Sequence, residues 1–239
     1  MKTLPCFAAA LALSLSVPSH AAAPDAVPAP AEARPATFNV GGEAFFFPAP
    51  SDAYSEVGYD NREFMELWVP GSNRLISAYV LNGSMAELTS RSPDLRMDSY
   101  GMVQIARGLE MMQCSNSDFL EVMSETKKIM DDSLDEIVGD ANNELKDRMK
   151  TISNVKVSVN QTVNLGTLFE GEDKYGFGIM CAVNAGDETI RMLIGCAILR
   201  VREKLLYVYF SERYKNEDTA VEVKNVLSAW SDKIIEANK

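Results

Sequence analysis

The sequence predicts an α+β domain, a mainly antiparallel sheet with helices on both faces, which is an αβα sandwich. Two observations carry this prediction. Four consecutive β-type segments between residues 155 and 214 are separated only by short polar stretches, which is typical of hairpins. Two amphipathic helical patterns flank these segments, one before them in the chain and one after them.

The N-terminus has the three parts of a secretory signal peptide. A positively charged start is followed by an apolar run over residues 7–17, and then by small residues before a cut after Ala21. A cut after Ala23 also fits the small-residue rule. Either cut removes His20, the only histidine of the chain. We therefore expect residues 1–21 to be a signal peptide and the mature protein to be periplasmic or secreted.

The mature chain is expected to be one acidic domain behind a linker. Residues 22–36 are rich in proline and alanine, which favours an extended linker, and residues 37–239 contain no second stretch of this kind. The net charge of the whole chain is −11, and loss of Lys2 makes it −12. An acidic domain repels phosphate backbones, so we expect no nucleic-acid partner. No second long apolar run follows residue 17, so we expect no membrane span in the mature chain.

The first part of the domain is predicted to be mostly β-structure. "FNVGGEAFFF" predicts a short hairpin that turns at Gly41-Gly42. "FMELWV" (64–69) and "RLISAYVL" (74–81) are predicted strands on either side of the turn "PGSN". The stretch 92–112 begins with loop residues and is predicted to become helical near Ser99.

The two helical patterns each have one apolar stripe. The longer pattern covers residues 117–150, where Ser117 can cap the first turn and Gly139 can bend or divide the helix. The second covers residues 216–239, with Asn216 as its cap. The stripe of this second helix consists of Ala220, Val223, Leu227, Trp230, Ile234 and Ala237.

The last predicted hairpin carries the most information about the layers. The four strands are predicted at 155–169, 175–183, 190–201 and 204–214. A two-residue turn at Arg202-Glu203 places Ile198 opposite Tyr207, Cys196 opposite Tyr209, and Gly195 opposite Phe210. Both faces of this hairpin are then apolar, so both should be covered. The small residues Gly195 and Ala197 should leave room for a closely packed helix.

Three cysteines remain after cleavage, an odd number in a compartment that permits disulfides. In the predicted register Cys181 and Cys196 are too far apart along their strands to be bridged, since bridged Cα atoms lie within about 7 Å. Cys114 is the remaining candidate partner for either Cys181 or Cys196.

Two sets of residues are candidates for binding. Tyr207, Tyr209, Arg200 and Arg213 share one face of the last hairpin, and tyrosine and arginine are enriched at binding hot spots. The alternative is that the tyrosines pack beneath a helix. The second set could form an adaptable binding groove, or belong to the core at helical spacing. It consists of Met111, Met112, Met123, Met130 and Met149.

The sequence offers little for catalysis. Without an imidazole the mature chain cannot use Ser-His-Asp or Cys-His chemistry. "SETK" (Ser124 to Lys127) matches the S-x-x-K of penicillin-binding enzymes, but the accompanying S-D-N and K-T-G are missing. The acidic stretches "DDSLDE" (131–136) and "EGED" (170–173) fail the calcium-loop pattern and are expected to be a helix face and a turn. We therefore expect no catalytic residue, metal ligand or cofactor.

Several pieces of the chain resemble a group of uncharacterised secreted bacterial proteins. These pieces are "FFFPAP", "PGSNRLISAYV", "SDFLEV", "LLYVYFSERY" and the terminal helix with Trp230 and Asn238. The Tyr-rich hairpin followed by a Trp-containing helix also resembles the PsbP/Mog1-like fold. That resemblance implies an αβα sandwich and a non-catalytic role, and the long helical region at 98–150 departs from the simplest version of the fold.

Three functions follow as hypotheses. The first is an exported, non-enzymatic binding or interaction domain that recognises a protein or another component of the cell envelope. The second is a carboxylate-based hydrolase such as a glycosidase, which would require two close acids and a raised pKa at one of them. The third is an envelope assembly or chaperone factor with a contiguous exposed apolar patch above about 600 Å².

Overall fold

The computed structural model describes residues 37–90, 97–132, 157–185 and 188–239, together with residues 139 and 143. The expected signal peptide and linker lie outside the described residues, as does most of the predicted helix beyond residue 132. The helices are α1 (Tyr59–Glu66), α2 (Asn82–Thr89), α3 (Asn116–Asp132) and α4 (Asp218–Ala237). The strands are β1 (Thr37–Val40), β2 (Glu43–Phe46), β3 (Tyr54–Glu56), β4 (Asn73–Leu81), β5 (Ser99–Ala106), β6 (Val157–Glu170), β7 (Lys174–Ala185), β8 (Glu188–Val201) and β9 (Lys204–Arg213).

The described strands form a seven-stranded antiparallel sheet and a separate hairpin. The sheet has the order β3-β4-β5-β9-β8-β7-β6, and β1 pairs with β2 alone. The predicted turn at Gly41-Gly42 and the four predicted strands that end the sheet are confirmed. With helices packed on both faces, the predicted α+β class is confirmed as well.

The hairpin of β8 and β9 has the predicted register. Ile198 lies opposite Tyr207, Cys196 opposite Tyr209, and the turn falls at Arg202 and Glu203. Alternate residues of both strands enter two different apolar clusters, one on each side of the sheet. The sheet is therefore buried on both faces, as the two apolar faces of this hairpin indicate.

Helix α4 covers one face of the sheet at very close range. An ideal Cβ placed on Gly195 would lie 2.8 Å from side-chain carbons of both Val223 and Leu227. Only a residue without a side chain lets the helix approach so closely. The prediction that a helix packs over Gly195 is thus confirmed.

The segment after β2 is held against α4 by side chains that bond to its backbone. Trp230 donates its indole N–H to the carbonyl of Pro48 at 2.6 Å, and Lys233 donates to Pro50 at 3.0 Å. The side-chain amide of Asn238 bonds to both the N–H and the carbonyl of Phe46, at 2.8 and 2.7 Å. The end of β2 and the segment after it are therefore joined to α4 and its C-terminal end.

The other face of the sheet is covered by α1, α2 and α3. Their buried residues include Met65 from α1, Leu88 from α2, and Phe119, Met123 and Met130 from α3. They pack with Tyr175, Phe177, Tyr207 and Tyr209 of the sheet into one cluster. The aromatic residues of the last strands thus form part of the core.

Two predicted elements are wrong. The stretch 64–69 is not a strand, because α1 ends at Glu66 and the ring of Phe64 packs on Trp68 four residues later, at helical spacing. The guanidinium of Arg62 also holds α1 on β4 by donating to the carbonyls of Leu75 and Ile76. The stretch from Ser99 is not a helix but the strand β5.

The reason for the second error is burial. All eight residues of β5 are buried, because the strand lies between β4 and β9 and both its faces are covered. A short segment that is buried on all sides has no periodic pattern that distinguishes a central strand from a buried helix. The short elements β3 and α2 were not predicted.

Candidate functional site

The tyrosine and arginine set does not form an exposed surface. Tyr207 and Tyr209 are 3 % and 1 % exposed and lie beneath the helices. Arg200 pairs with Asp173 at 2.5 Å near one end of the hairpin, whereas Arg213 lies at the other end, 3.4 Å from an oxygen of Asp98. The four residues share one face of the sheet, but contact of a partner with the tyrosines would require the covering helices to move.

The suggested bridge between Cys114 and Cys181 or Cys196 is not made in this structure, where none of the three cysteines takes part in a disulfide. The N–H of Cys114 bonds to Glu203 in the β8–β9 turn at 2.7 Å. Cys196 pairs with Tyr209 in the sheet. Tyr209 is six residues from Glu203, so Cys196 lies roughly 20 Å along the strands from the turn that holds Cys114. Cys181 is farther still from the turn, because it lies opposite Met192 near the other end of the sheet. A disulfide would need Cα atoms within about 7 Å.

The groups considered for catalysis are occupied or isolated. The ammonium of Lys127 in the "SETK" stretch is held by both carboxylate oxygens of Glu170, at 3.0 and 2.9 Å. The carboxyl group of Glu56 has a raised pKa; burial is the cause, and Arg62 opposes it. No second carboxylate contributes to this shift, so nothing in it points to a catalytic acid pair. In the described part of the chain, no cluster of three potential metal ligands is found.

Two adjacent methionines are the most exposed apolar residues of the loop between β5 and α3. We call residues 107–115 the methionine loop. Met111 is 76 % exposed and Met112 is 48 % exposed, and Leu120 in the following helix is 52 % exposed. Met123 and Met130 lie in the core. The suggested methionine groove is therefore divided, with two members at the surface, two in the core, and Met149 outside the described residues.

The backbone of the methionine loop is anchored at several points. Its first part forms turns in which Leu109 bonds to Ala106 at 2.9 Å and Met112 bonds to Leu109 at 3.0 Å. At its end, Cys114 is fixed to the β8–β9 turn, and the ammonium of Lys204 donates to the carbonyl of Met112 at 3.3 Å. The methionine side chains thus project from a supported backbone.

An ion pair fixes the middle of the loop. The carboxylate of Glu110 accepts hydrogen bonds from Nε and Nη2 of Arg74, at 3.1 and 2.5 Å. This is the bidentate geometry that arginine favours with carboxylates. It also accepts from the N–H of Gly41 at 3.3 Å. The Arg74 guanidinium beside Glu110 lowers the pKa of this carboxyl group below its ordinary value.

The turn of the β1–β2 hairpin is in direct contact with the methionine loop. Gly41 has φ of +59°, and an ideal Cβ at this position would lie 2.3 Å from the carbonyl oxygen of Glu110. Glycine meets both requirements, a left-handed backbone and a contact that leaves no space for a side chain. The methionine loop is therefore braced by three parts of the fold: the β1–β2 turn, the β8–β9 turn, and Arg74 on β4.

This arrangement suits contact with a protein. Methionine is flexible and polarizable, and it is enriched in interfaces. The remaining large apolar residues that are exposed, in the described part of the chain, lie on other elements: Tyr59, Val163, Leu165 and Val221. Sequence reasoning marked Met111 and Met112 as candidates but missed their exposure, because it placed them in a helix. The "RG" at 107–108 that follows the apolar run was the available signal for a loop.

Within the described ranges, no helix combines the length and the apolar character that crossing a bilayer requires. Neither a protein-family model nor a curated protein sequence matches the chain.

Solved structures with partial likeness to the chain include two proteins. The Ran-binding protein Mog1p of Saccharomyces cerevisiae is 11 % identical over 84 % of this chain and 94 % of its own, with a TM-score of 0.33. CyanoP, the PsbP of Synechocystis sp. PCC 6803, is 12 % identical over 88 % of this chain and 96 % of its own, with a TM-score of 0.29. Mog1 and PsbP are the proteins whose fold the sequence resemblance named. Scores at this level carry no inference about function.

Proposed function

We propose that this chain is an exported, non-enzymatic interaction domain that binds a protein of the cell envelope through the methionine loop. The observation that carries the proposal is the exposure of Met111 and Met112 on a backbone fixed at both ends and in the middle. Binding loses less conformational entropy when the contacting residues are already held in place. The anchors therefore favour recognition by this surface over incidental exposure.

The chemistry of the chain supports a binding role over a catalytic one. The buried tyrosines are core residues, and Lys127 is neutralised by Glu170. The raised pKa of the Glu56 carboxyl group is explained by burial. If export removes His20, the mature chain also lacks an imidazole for acid–base catalysis.

Export can be tested by the intact mass of the protein recovered from the envelope fraction. We expect a chain that begins at Ala22, or at Pro24 if the second cut is used. A chain that begins before residue 20 would contradict the export part of the proposal.

The binding surface can be tested by photo-crosslinking in the native envelope. A benzoylphenylalanine at position 111 should give one dominant crosslinked protein. The same residue at position 221 is the matched control, because Val221 is 58 % exposed but lies on α4. Equal crosslinking from both positions, or none from position 111, would refute the methionine loop as the binding surface.

A charge substitution provides an independent test. Replacing both methionines by glutamate (Met111→Glu with Met112→Glu) should abolish the crosslink to a probe placed at the neighbouring Gln113. Val221→Glu should leave it unchanged. Both sites are exposed, so neither change should shift the melting temperature by more than a degree or two.

A further inference from the structure

The methionines of the described chain fall into distinct exposure groups. Met111 and Met112 are exposed, whereas Met85 and Met180 are partly buried. The others are at most 5 % exposed: Met65, Met97, Met102, Met123, Met130 and Met192. Oxidation of a thioether requires direct contact between its sulfur and the oxidant. Within this set, only the methionine loop presents two exposed methionines, and they are adjacent in sequence.

We propose that Met111 and Met112 form a paired oxidation site for peroxides, and that their conversion to sulfoxides turns off binding by the methionine loop. In each reaction the sulfur attacks one peroxide oxygen and the O–O bond breaks. That oxygen remains on the sulfur as a sulfoxide, and the other oxygen leaves as water after proton transfer. The sulfur is oxidised by two electrons and hydrogen peroxide is reduced. The switch part of this proposal rests on the proposed function.

The fold should tolerate this change, because the methionine loop is not held by its methionine side chains. Its anchors are backbone hydrogen bonds, the carboxylate of Glu110, and the ammonium of Lys204. A sulfoxide at either exposed position therefore replaces an apolar surface group by a polar one without opening the core. The same change at Met102, which is fully buried in the sheet, would place a polar group in the core.

The first experiment measures selectivity on the free mature protein. Hydrogen peroxide is added, and peptide mapping by mass spectrometry follows sulfoxide formation at each described methionine. Met111 and Met112 should react at least about tenfold faster than the methionines that are at most 5 % exposed, because buried sulfurs react only after local opening. The melting temperature should stay within a degree or two while only these two are oxidised. Similar rates at buried and exposed positions, or early unfolding, would overturn the inference.

The second experiment tests the switch with the photo-crosslinking probe at Gln113. The double variant Met111→Leu with Met112→Leu keeps an apolar surface but cannot form sulfoxides. Peroxide should abolish the crosslink of the wild type and leave that of the double variant unchanged. If the oxidised wild type still crosslinks, the switch is refuted while the proposed function stands. If neither protein crosslinks a partner before oxidation, the switch and the proposed function both fail.

Discussion

At the residue scale, the turn between β8 and β9 contains a conformation that its residues do not favour. Arg202 and Glu203 have φ of +50° and +60°, in the left-handed region where glycine and asparagine are usual for two-residue hairpins. The fold around the turn imposes this backbone. The side chain of Arg202 pairs with Glu43 at 2.7 Å and donates to the carbonyl of Ala44 at 3.0 Å. The Glu203 carbonyl accepts from Cys114.

Glu203→Gly should therefore stabilise the protein by about 0.5–1 kcal/mol. Removing the steric strain of a non-glycine residue with a left-handed backbone should raise the free energy of unfolding by roughly 1–2 kcal/mol. Glycine also gives the unfolded chain more conformational entropy, which offsets part of this gain. The free energy of unfolding in urea measures the difference. Glu172→Gly is the control, because this exposed turn residue does not have a positive φ. It should destabilise slightly, and an equal effect of both substitutions would contradict the explanation.

At the element scale, Trp230 stabilises the packing of α4 against the sheet and the segment after β2. Trp230 is fully buried, packs edge-on against Tyr79 with ring centroids 5.6 Å apart, and bonds to Pro48. Trp230→Ala should lower the free energy of unfolding by about 3–5 kcal/mol, through the cavity and the unpaired carbonyl. Val221→Ala on the exposed side of the same helix should change it by less than about 0.5 kcal/mol. A melting shift of only a degree or two for Trp230→Ala would show that the contact contributes little.

The methionine loop is an element whose stability should depend on pH. The folded-state pKa of Glu110 is lowered, chiefly by its bond to Arg74, so the stabilisation is fully present above the ordinary carboxyl pKa of 4.5. It should be lost as the pH falls through the lower pKa of the folded state. Glu110→Gln should cost about 1 kcal/mol at pH 7, a modest value because both side chains are partly exposed. The cost should be smaller at pH 3 than at pH 7, because pH 3 lies below the ordinary carboxyl pKa of 4.5.

Urea unfolding of the wild type and the variant at both pH values checks this dependence. Glu203→Gln is the control, because its side chain makes no ion pair within the described part of the chain. If Glu110→Gln costs as much at pH 3 as at pH 7, the ion pair with Arg74 is not the source of the stabilisation.

The elements that the sequence predicts well are those whose pattern is complete within one segment. The β8–β9 hairpin has two apolar faces and a polar two-residue turn, and its register follows from the turn alone. Helix α4 buries the predicted apolar residues Val223, Leu227, Trp230 and Ile234, although Ala237 at the end of the predicted stripe is exposed. In contrast, β5 is identified only by its neighbours, since a strand buried on both sides has no alternation to reveal it.

The candidate site depends even more on distant contacts. Exposure of Met111 results from the anchors of the loop, and these come from β1–β2, β4 and the β8–β9 turn. Glu110 and Arg74 are 36 residues apart, and no local pattern links them. The sequence could therefore nominate the methionines as candidates, but their separation into surface and core pairs required the fold.

At the scale of the whole molecule, one face of the sheet is closed by two elements that lie far apart in the chain, the β1–β2 hairpin and α4. Phe46 and Asn238 are 192 residues apart and bonded through backbone and side-chain amide. Val40, Phe45 and Phe47 are all at most 2 % exposed against the same face as α4. The N-terminal hairpin thus completes the core on this side, which supports our proposal that the domain begins near residue 37.

The burial of both faces also determines how the cysteines should behave. Cys114, Cys181 and Cys196 are buried, and burial raises the pKa of each thiol, to about 12 for Cys181. The reactive thiolate is therefore scarce at pH 8 as well as shielded from reagents. We expect the native mature chain to react only slowly with a thiol reagent. Once the chain is unfolded in denaturant without reductant, three thiols per chain should react. Dithiothreitol should leave the melting temperature unchanged, since no bridge needs to be reduced. Recovery of only one thiol after unfolding would show that two of the three cysteines do pair, and that their Cα atoms lie far closer together than the strand register allows.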